Sequence, residues 1–357
     1  MSERTMTKHI FKSIMAFGTA FLIVNFICFF YYNPLHNTEL NDYRLEPDTY
    51  GLYAVEGFGF LHADKNGFPN RDGELAENNY ILVMGSSQSV GDQVLRRYRF
   101  SEILDNEYNQ DGKIHVYNVA HGGKKLQHLI KNFNDIITEF PDSSAIIIEL
   151  SDGTIIMSDE EFQDAMQQVE YDSSLHGAEL QNHDFAGKVS MAVKKYCPFI
   201  LLSYDQMTRK SFTDIKDAFW HADSGKINSE ALVNESNEQN SVFYDQYFQS
   251  MRLIREEYSG KIIVVYHEPL TTEELKSAKC ENNERVVWLE KACQENDICF
   301  INMKQDFLEE YLYSNSLPYG FYNTEMGSGH LNKTGHRIIA KRLLEELKES
   351  KDEYLNI

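Results

Sequence analysis

The sequence predicts a doubly wound α/β fold, a parallel sheet with helices on both faces, preceded by one transmembrane helix. Three observations carry this prediction. Short apolar runs of strand length recur at 80–84, 114–118, 145–150, 261–266 and 298–302. Stretches with helical spacing separate them, and strands that alternate with helices build parallel sheets covered on both sides. Near the start, residues 14–32 form an apolar stretch with no formal charge, about long enough to cross a bilayer as a helix.

Taken in order, residues 1–13 read as a cytoplasmic tail with Arg4, Lys8 and Lys12. Residues 14–32 read as an anchor, interrupted mainly by Thr19 and Asn25, with Tyr31 and Tyr32 at the level of an interfacial aromatic belt. Basic residues precede the span, while Glu39 and Asp42 follow it. This charge bias puts the N-terminus in the cytoplasm and the rest of the chain outside, periplasmic or extracellular. A cleaved signal peptide needs small residues at the cut, and Phe29-Phe-Tyr-Tyr-Asn-Pro34 has none. Residues 33–77 form a polar connector rich in turn signals, with Tyr43, Tyr50, Tyr53, Phe58, Phe60 and Phe68 to pack it on the domain, as a small hairpin at most.

The α/β domain occupies 78–350. Tyr80 to Met84 is too short for a buried helix and ends at Gly85, so it reads as a buried parallel strand. A helix is expected over 95–104, the second strand ends at Asn118, and 124–140 carries helical spacing through Leu126, Leu129, Ile130, Phe133, Ile136 and Ile137. The third strand, 145–150, contains Glu149, which reads as a satisfied structural acid. Residues 155–240 fit the strand–helix alternation poorly and read as a partly helical insertion, with helices at 158–170 and 184–206. Helix 242–258, strand 261–266, helix 284–295, strand 298–302 and helix 333–348 complete the pattern. Right-handed crossovers leave few topologies, and a five-stranded flavodoxin-like order fits best.

Composition narrows the partners. The formal charge is −21 over 357 residues and no basic tract stands out, which excludes a nucleic-acid partner. Four cysteines lie outside the span, Cys197, Cys280, Cys293 and Cys299. They could pair in an oxidising compartment or stay as buried thiols. No Cys/His cluster has zinc spacing, and no cofactor or metal is called for.

Three stretches carry the chemistry. Gly85-Ser86-Ser87 follows the first strand, with Gly91 four residues after Ser87. Asn118, Ala120 and Gly123 follow the second strand. His330-Leu331-Asn332, with Gly335-His336, opens the last helix. Together, over about 80–347, they resemble the SGNH (GDSL-like) hydrolases. The resemblance implies a flavodoxin-like domain, Ser87 as nucleophile and His330 as base. A serine hydroxyl is a poor nucleophile until a base takes its proton, and both residues belong to the carboxyl edge of the sheet. Backbone N–H groups of Ser87 and Gly123 are the expected oxyanion donors. Ser86 is the neighbouring alternative nucleophile. His121 and His267, at strand ends, read as rim or structural residues.

The chain departs from the family pattern twice. Ser151-Asp152-Gly153 stands where the oxyanion asparagine is usual, so Ser151 or Asn118 would have to substitute. Gly327 stands three residues before the histidine, where an aspartate is usual. Glu325 or Asp306 could then orient His330, but a backbone carbonyl, giving a Ser–His dyad, is the preferred expectation. The leading function is a membrane-anchored serine esterase removing O-acyl groups, acetyl in the simplest case, from a cell-surface glycan or a related ester. O-acyl transfer to a surface glycan and non-catalytic glycan binding or assembly on a degenerate fold are the alternatives.

Overall fold

The computed structural model describes residues 3–31, 45, 47–48, 50–53, 56–71, 80–108, 115–156, 158–172, 197, 199–200, 237–281 and 283–355. Helix α1 spans Glu3–Tyr31. Its segment His9–Cys28 has a mean hydropathy of 1.9 and is long and apolar enough to cross a membrane. Strands β1 (Tyr50–Tyr53) and β2 (Gly59–His62) then form an antiparallel hairpin.

The central sheet contains β3 (Tyr80–Met84), β4 (His115–Asn118), β5 (Ser143–Ser151), β6 (Lys261–His267) and β7 (Cys299–Asn302). They are all parallel, in the order β4-β3-β5-β6-β7. This is the flavodoxin-like order 2-1-3-4-5, whose topological switch lies beside its first strand, here β3. Ligands of such sheets bind outside the carboxyl ends of the strands at that switch.

The strand sequences explain the two helical layers. Successive side chains point to opposite faces. Tyr80, Leu82 and Met84 therefore meet α4 (Leu126–Glu139), α7 (Asn237–Glu257) and α9 (Glu284–Glu295), burying Leu129, Phe133, Met251 and Leu289. Ile81 and Val83 meet the other layer, α3 (Phe100–Tyr108), α10 (Lys304–Ser314) and α11 (Lys333–Leu355), through Phe100, Phe307, Ile339 and Leu343. Two-sided burial is why these strands read as unbroken apolar runs. The remaining helices are short or peripheral: α2 (Ser87–Val90), α5 (Asp152–Ile155), α6 (Asp159–Asp172) and α8 (Thr272–Ser277).

Several boundaries differ from the sequence reading. The helix expected over 95–104 begins only at Phe100, after a 3₁₀ turn at Arg96–Tyr98. The Gly327–His330 stretch, which reads from the sequence as a loop before the last helix, is part of a strand, β9 (Met326–Leu331), paired with β8 (Tyr319–Gly320). Its Gly-Ser-Gly composition hides the strand, because glycine weakens every propensity signal. The expected helix 184–206 and most of the insertion lie outside the described residues. All five cysteines are free thiols.

Candidate active site

The first element of the candidate site is the turn after β3. Ser86 caps α2, its Oγ accepting the Gln88 N–H at 3.3 Å, which satisfies one of the donors a helix start leaves open. At the other end Gly91 takes the left-handed conformation, with φ +66°. A Cβ there would lie 2.9 Å from Arg99 Cγ. The register of Gly91 relative to Ser87 therefore has a steric cause.

Beneath this turn sits Glu149, fully buried. Its Oε2 accepts the Ser86 N–H at 2.8 Å, the Ser86 hydroxyl at 3.0 Å and the Ser89 hydroxyl at 2.9 Å. His267 Nε2 lies 3.1 Å from Oε1, and the other His267 nitrogen meets the Tyr319 hydroxyl. Burial pushes the Glu149 carboxyl up, but His267 and the Ser86 and Ser89 donors outweigh it and hold it below the usual carboxylate range. The Ser86 hydroxyl is thus committed to Glu149 and buried, whereas Ser87 borders a cavity. Ser87 Oγ lies 2.9 Å from His330 Nε2, within the reach a nucleophile–base pair needs.

His330 is held from three sides. Gln88 Oε1 accepts the Leu331 N–H at 2.8 Å, and Gln88 Nε2 donates to the Gly329 carbonyl at 3.3 Å. These two bonds tie β9 to α2 on either side of the histidine. The third contact corrects the sequence reading. His330 Nδ1 faces Glu56 Oε2 at 2.6 Å, and the His330 N–H donates to Glu56 Oε1 at 2.7 Å. The ring partner is a carboxylate, not a backbone carbonyl, and it comes from the turn between β1 and β2. Glu325 instead accepts from Ser328 Oγ at 3.2 Å. Asp306 sits in the first turn of α10, with its carboxyl raised by burial and drawn back by Arg342. Nothing in the sequence around Glu56 marks it, and 274 residues separate it from its partner.

Two expected oxyanion donors are also re-placed. Asn118 is buried, and its amide donates to the Ser89 carbonyl at 2.8 Å and to Ser101 Oγ at 3.2 Å, while its Oδ1 accepts the Ala120 N–H. Its role is to tie β4 to the α2 turn, and no donor is left over. Ser151 bonds Thr154 within its own turn, and neither Ser151 nor Asp152 lines the cavity at Ser87. Of the paired glycines, Gly122 borders that cavity rather than Gly123. A Cβ on Gly122 would lie 3.8 Å from Ser87 Cβ, whereas one on Gly123 would meet nothing within 4 Å.

The cavity has a volume of about 210 Å³ and includes Ser87, His330, His121 and Gly122. Leu45, Leu61, Val90 and Ala120 give it an apolar wall, and Tyr53, Asp92 and Gln93 a polar one. The connector therefore supplies both the histidine's partner and part of the wall, beyond the packing role preferred for it from the sequence. Among the described residues no group of His, Cys, Asp or Glu is placed to hold a metal ion.

The fold resembles that of several solved structures, among them acetyl xylan esterases and lipolytic proteins of the G-D-S-L family. An acetyl xylan esterase, AlAXEase, is 12% identical over 75% of this chain and 98% of its own, with a TM-score of 0.40. A lipolytic protein of the G-D-S-L family from Veillonella parvula is 14% identical over 74% and 96%, at 0.37. A variant of Axe2, an acetyl xylan esterase from Geobacillus stearothermophilus, is 11% identical over 76% and 96%, at 0.37. No protein-family profile matches the sequence, and no curated protein does. At such scores the functional reading rests on this chain's own topology and geometry.

Proposed function

We propose that the chain is a membrane-anchored serine esterase of SGNH type that removes short O-acyl groups from a surface glycan or a related ester. The observation that carries the proposal is the line Ser87 Oγ, His330, Glu56, with steps of 2.9 and 2.6 Å. Glu56 accepts the Nδ1 proton of His330 and leaves the Nε2 lone pair facing Ser87. As Ser87 Oγ attacks the ester carbon, its proton moves to Nε2, and the Glu56 carboxylate stabilises the imidazolium. The Ser87 N–H, at the open start of α2, and the Gly122 N–H are the proposed donors to the oxyanion. His330 then gives its proton to the leaving alcohol, and an acyl-Ser87 remains. Water, deprotonated by His330, attacks the acyl carbon and releases the acid and free Ser87.

The apolar helix α1 and the charge bias around it support the anchor and an extracytoplasmic domain. The glycan is inferred from that location. The test uses purified full-length protein in detergent with 4-nitrophenyl acetate. Turnover and labelling by a fluorophosphonate are expected, and both should disappear in Ser87→Ala. An unlabelled wild-type serine would refute the proposal. Acyl transfer to an added glycan in place of hydrolysis would revise it to an acyltransferase.

A further inference from the structure

Two acceptors on the polar wall of the cavity have no hydrogen-bond partner among the described residues. Asp92 Oδ1 is buried and receives no hydrogen bond, and no ion pair reaches the Asp92 carboxylate among the described residues. Gln93 is 4% exposed, and its Oε1 is likewise unpartnered. The Arg99 guanidinium makes its hydrogen bonds to backbone carbonyls and not to Asp92. Its Nε donates to the Gly91 carbonyl at 3.1 Å, Nη1 to Pro69 at 3.2 Å and Nη2 to Phe60 at 3.0 Å. Burial consequently raises the Asp92 carboxyl, with Arg99 and His330 only partly opposing this.

A buried carboxylate oxygen without a donor is costly, and it is retained only where something else offsets the cost. Here both acceptors border the cavity that contains Ser87 and His330, which Leu45, Leu61, Val90 and Ala120 also line. The cavity thus offers one surface suited to a methyl group and another suited to hydrogen-bond donors. Among the described residues no Lys or Arg lines it to receive a phosphate or carboxylate group.

We propose that Asp92 and Gln93 form a hydroxyl-binding subsite for the alcohol half of the ester. They select a neutral, sugar-type ester with a free hydroxyl beside the acylated one, while the apolar wall takes the acyl group. This rests on the esterase reading of Ser87 and His330. It goes beyond that reading by naming what recognises the substrate.

The test compares kcat/KM of the full chain on a mono-O-acetyl methyl hexoside and on the same ester with its neighbouring hydroxyl methylated. A site built around a substrate hydroxyl discriminates strongly against its absence. Wild type should prefer the free hydroxyl by about tenfold or more. In Asp92→Ala the ratio should collapse toward one, and Asp92→Asn, which keeps an acceptor oxygen, should restore part of it. If Asp92→Ala does not fold, the wild-type and Asp92→Asn ratios decide. A wild-type ratio near one overturns the subsite. Faster turnover of an ester with an ammonium in place of that hydroxyl also overturns it, by making Asp92 a cation site. Turnover of 4-nitrophenyl acetate separates the two levels: without it the esterase reading falls and the subsite with it, whereas with it an equal ratio removes the subsite alone.

Discussion

Glu56 holds His330 by both of its oxygens, Oε1 on the main-chain N–H at 2.7 Å and Oε2 on Nδ1 at 2.6 Å. One carboxylate thereby sets the backbone position and the ring orientation together. Glu56→Gln should lower kcat by about two to four powers of ten, the range seen when the orienting acid of a triad is neutralised. Glu325→Gln and Asp306→Asn should leave kcat within about twofold, since neither side chain reaches the ring. Steady-state kinetics on 4-nitrophenyl acetate would decide, and a large loss in either control would restore the discarded acids.

The approach of Glu56 depends on a missing side chain. Gly329 has φ +79°, and a Cβ there would lie 2.2 Å from Glu56 Oε1. Gly329→Ala should cost about 1 kcal/mol or more of stability from backbone strain. It should also reduce kcat by at least about tenfold through displacement of Glu56. Wild-type turnover in a folded Gly329→Ala protein would show that the Glu56 contact is dispensable.

Ser86 and Ser87 should separate cleanly. Ser86→Ala removes an N-cap and a donor to Glu149, with a stability loss of about 1 to 2 kcal/mol. Fluorophosphonate labelling of Ser87 should persist in that variant. Loss of labelling in Ser86→Ala with retention in Ser87→Ala would reverse the assignment.

His336 predicts an acid limb of stability. It is buried, its Nδ1 accepts the Phe100 N–H at 3.3 Å, and its ring stacks on Phe100. Burial, with Arg99 and His267 adding to it, pushes its pKa down to about 3. The unfolded chain takes up this proton below about pH 6.5, and the folded chain only near the lower value. The contribution of a neutral His336 is therefore intact above pH 6.5 and is lost progressively as pH falls toward 3. Across that window the loss is a few kcal/mol. Urea midpoints of wild type and His336→Asn, measured from pH 7.5 to 4, should converge as pH falls. Parallel curves would refute the assignment.

Topology is testable in cells. A reporter active only in the cytoplasm, fused after Ile357, should be silent, and the same reporter fused ahead of Met1 should be active. Activity from the C-terminal fusion would overturn the extracytoplasmic placement.

The sheet was legible because its strands are buried on both faces. An unbroken run such as Tyr80–Met84 or Lys261–His267 announces itself without any partner, and the observed strand order is the one such alternation favours. Ser87 and His330 were picked out through the resemblance to the SGNH motifs, whose glycines Gly85, Gly91 and Gly335 stand at tight backbone approaches. The strand pair β8–β9 was not legible: its glycines carry no apolar alternation, and the β1–β2 hairpin was foreseen only in outline within the connector.

By itself the sequence determined the doubly wound sheet, an apolar N-terminal helix of spanning length, and which serine and histidine lie at the carboxyl edge. Tertiary structure alone decided the rest: Glu56 on the ring, Asn118 consumed inside the fold, Gly122 rather than Gly123 at the cavity, and Asp92 and Gln93 beside Ser87. The physical reason is range. Strand burial and helix periodicity are written in neighbouring residues, whereas a carboxylate's partner is set by packing a hairpin against a strand 274 residues away, and no local pattern records that contact.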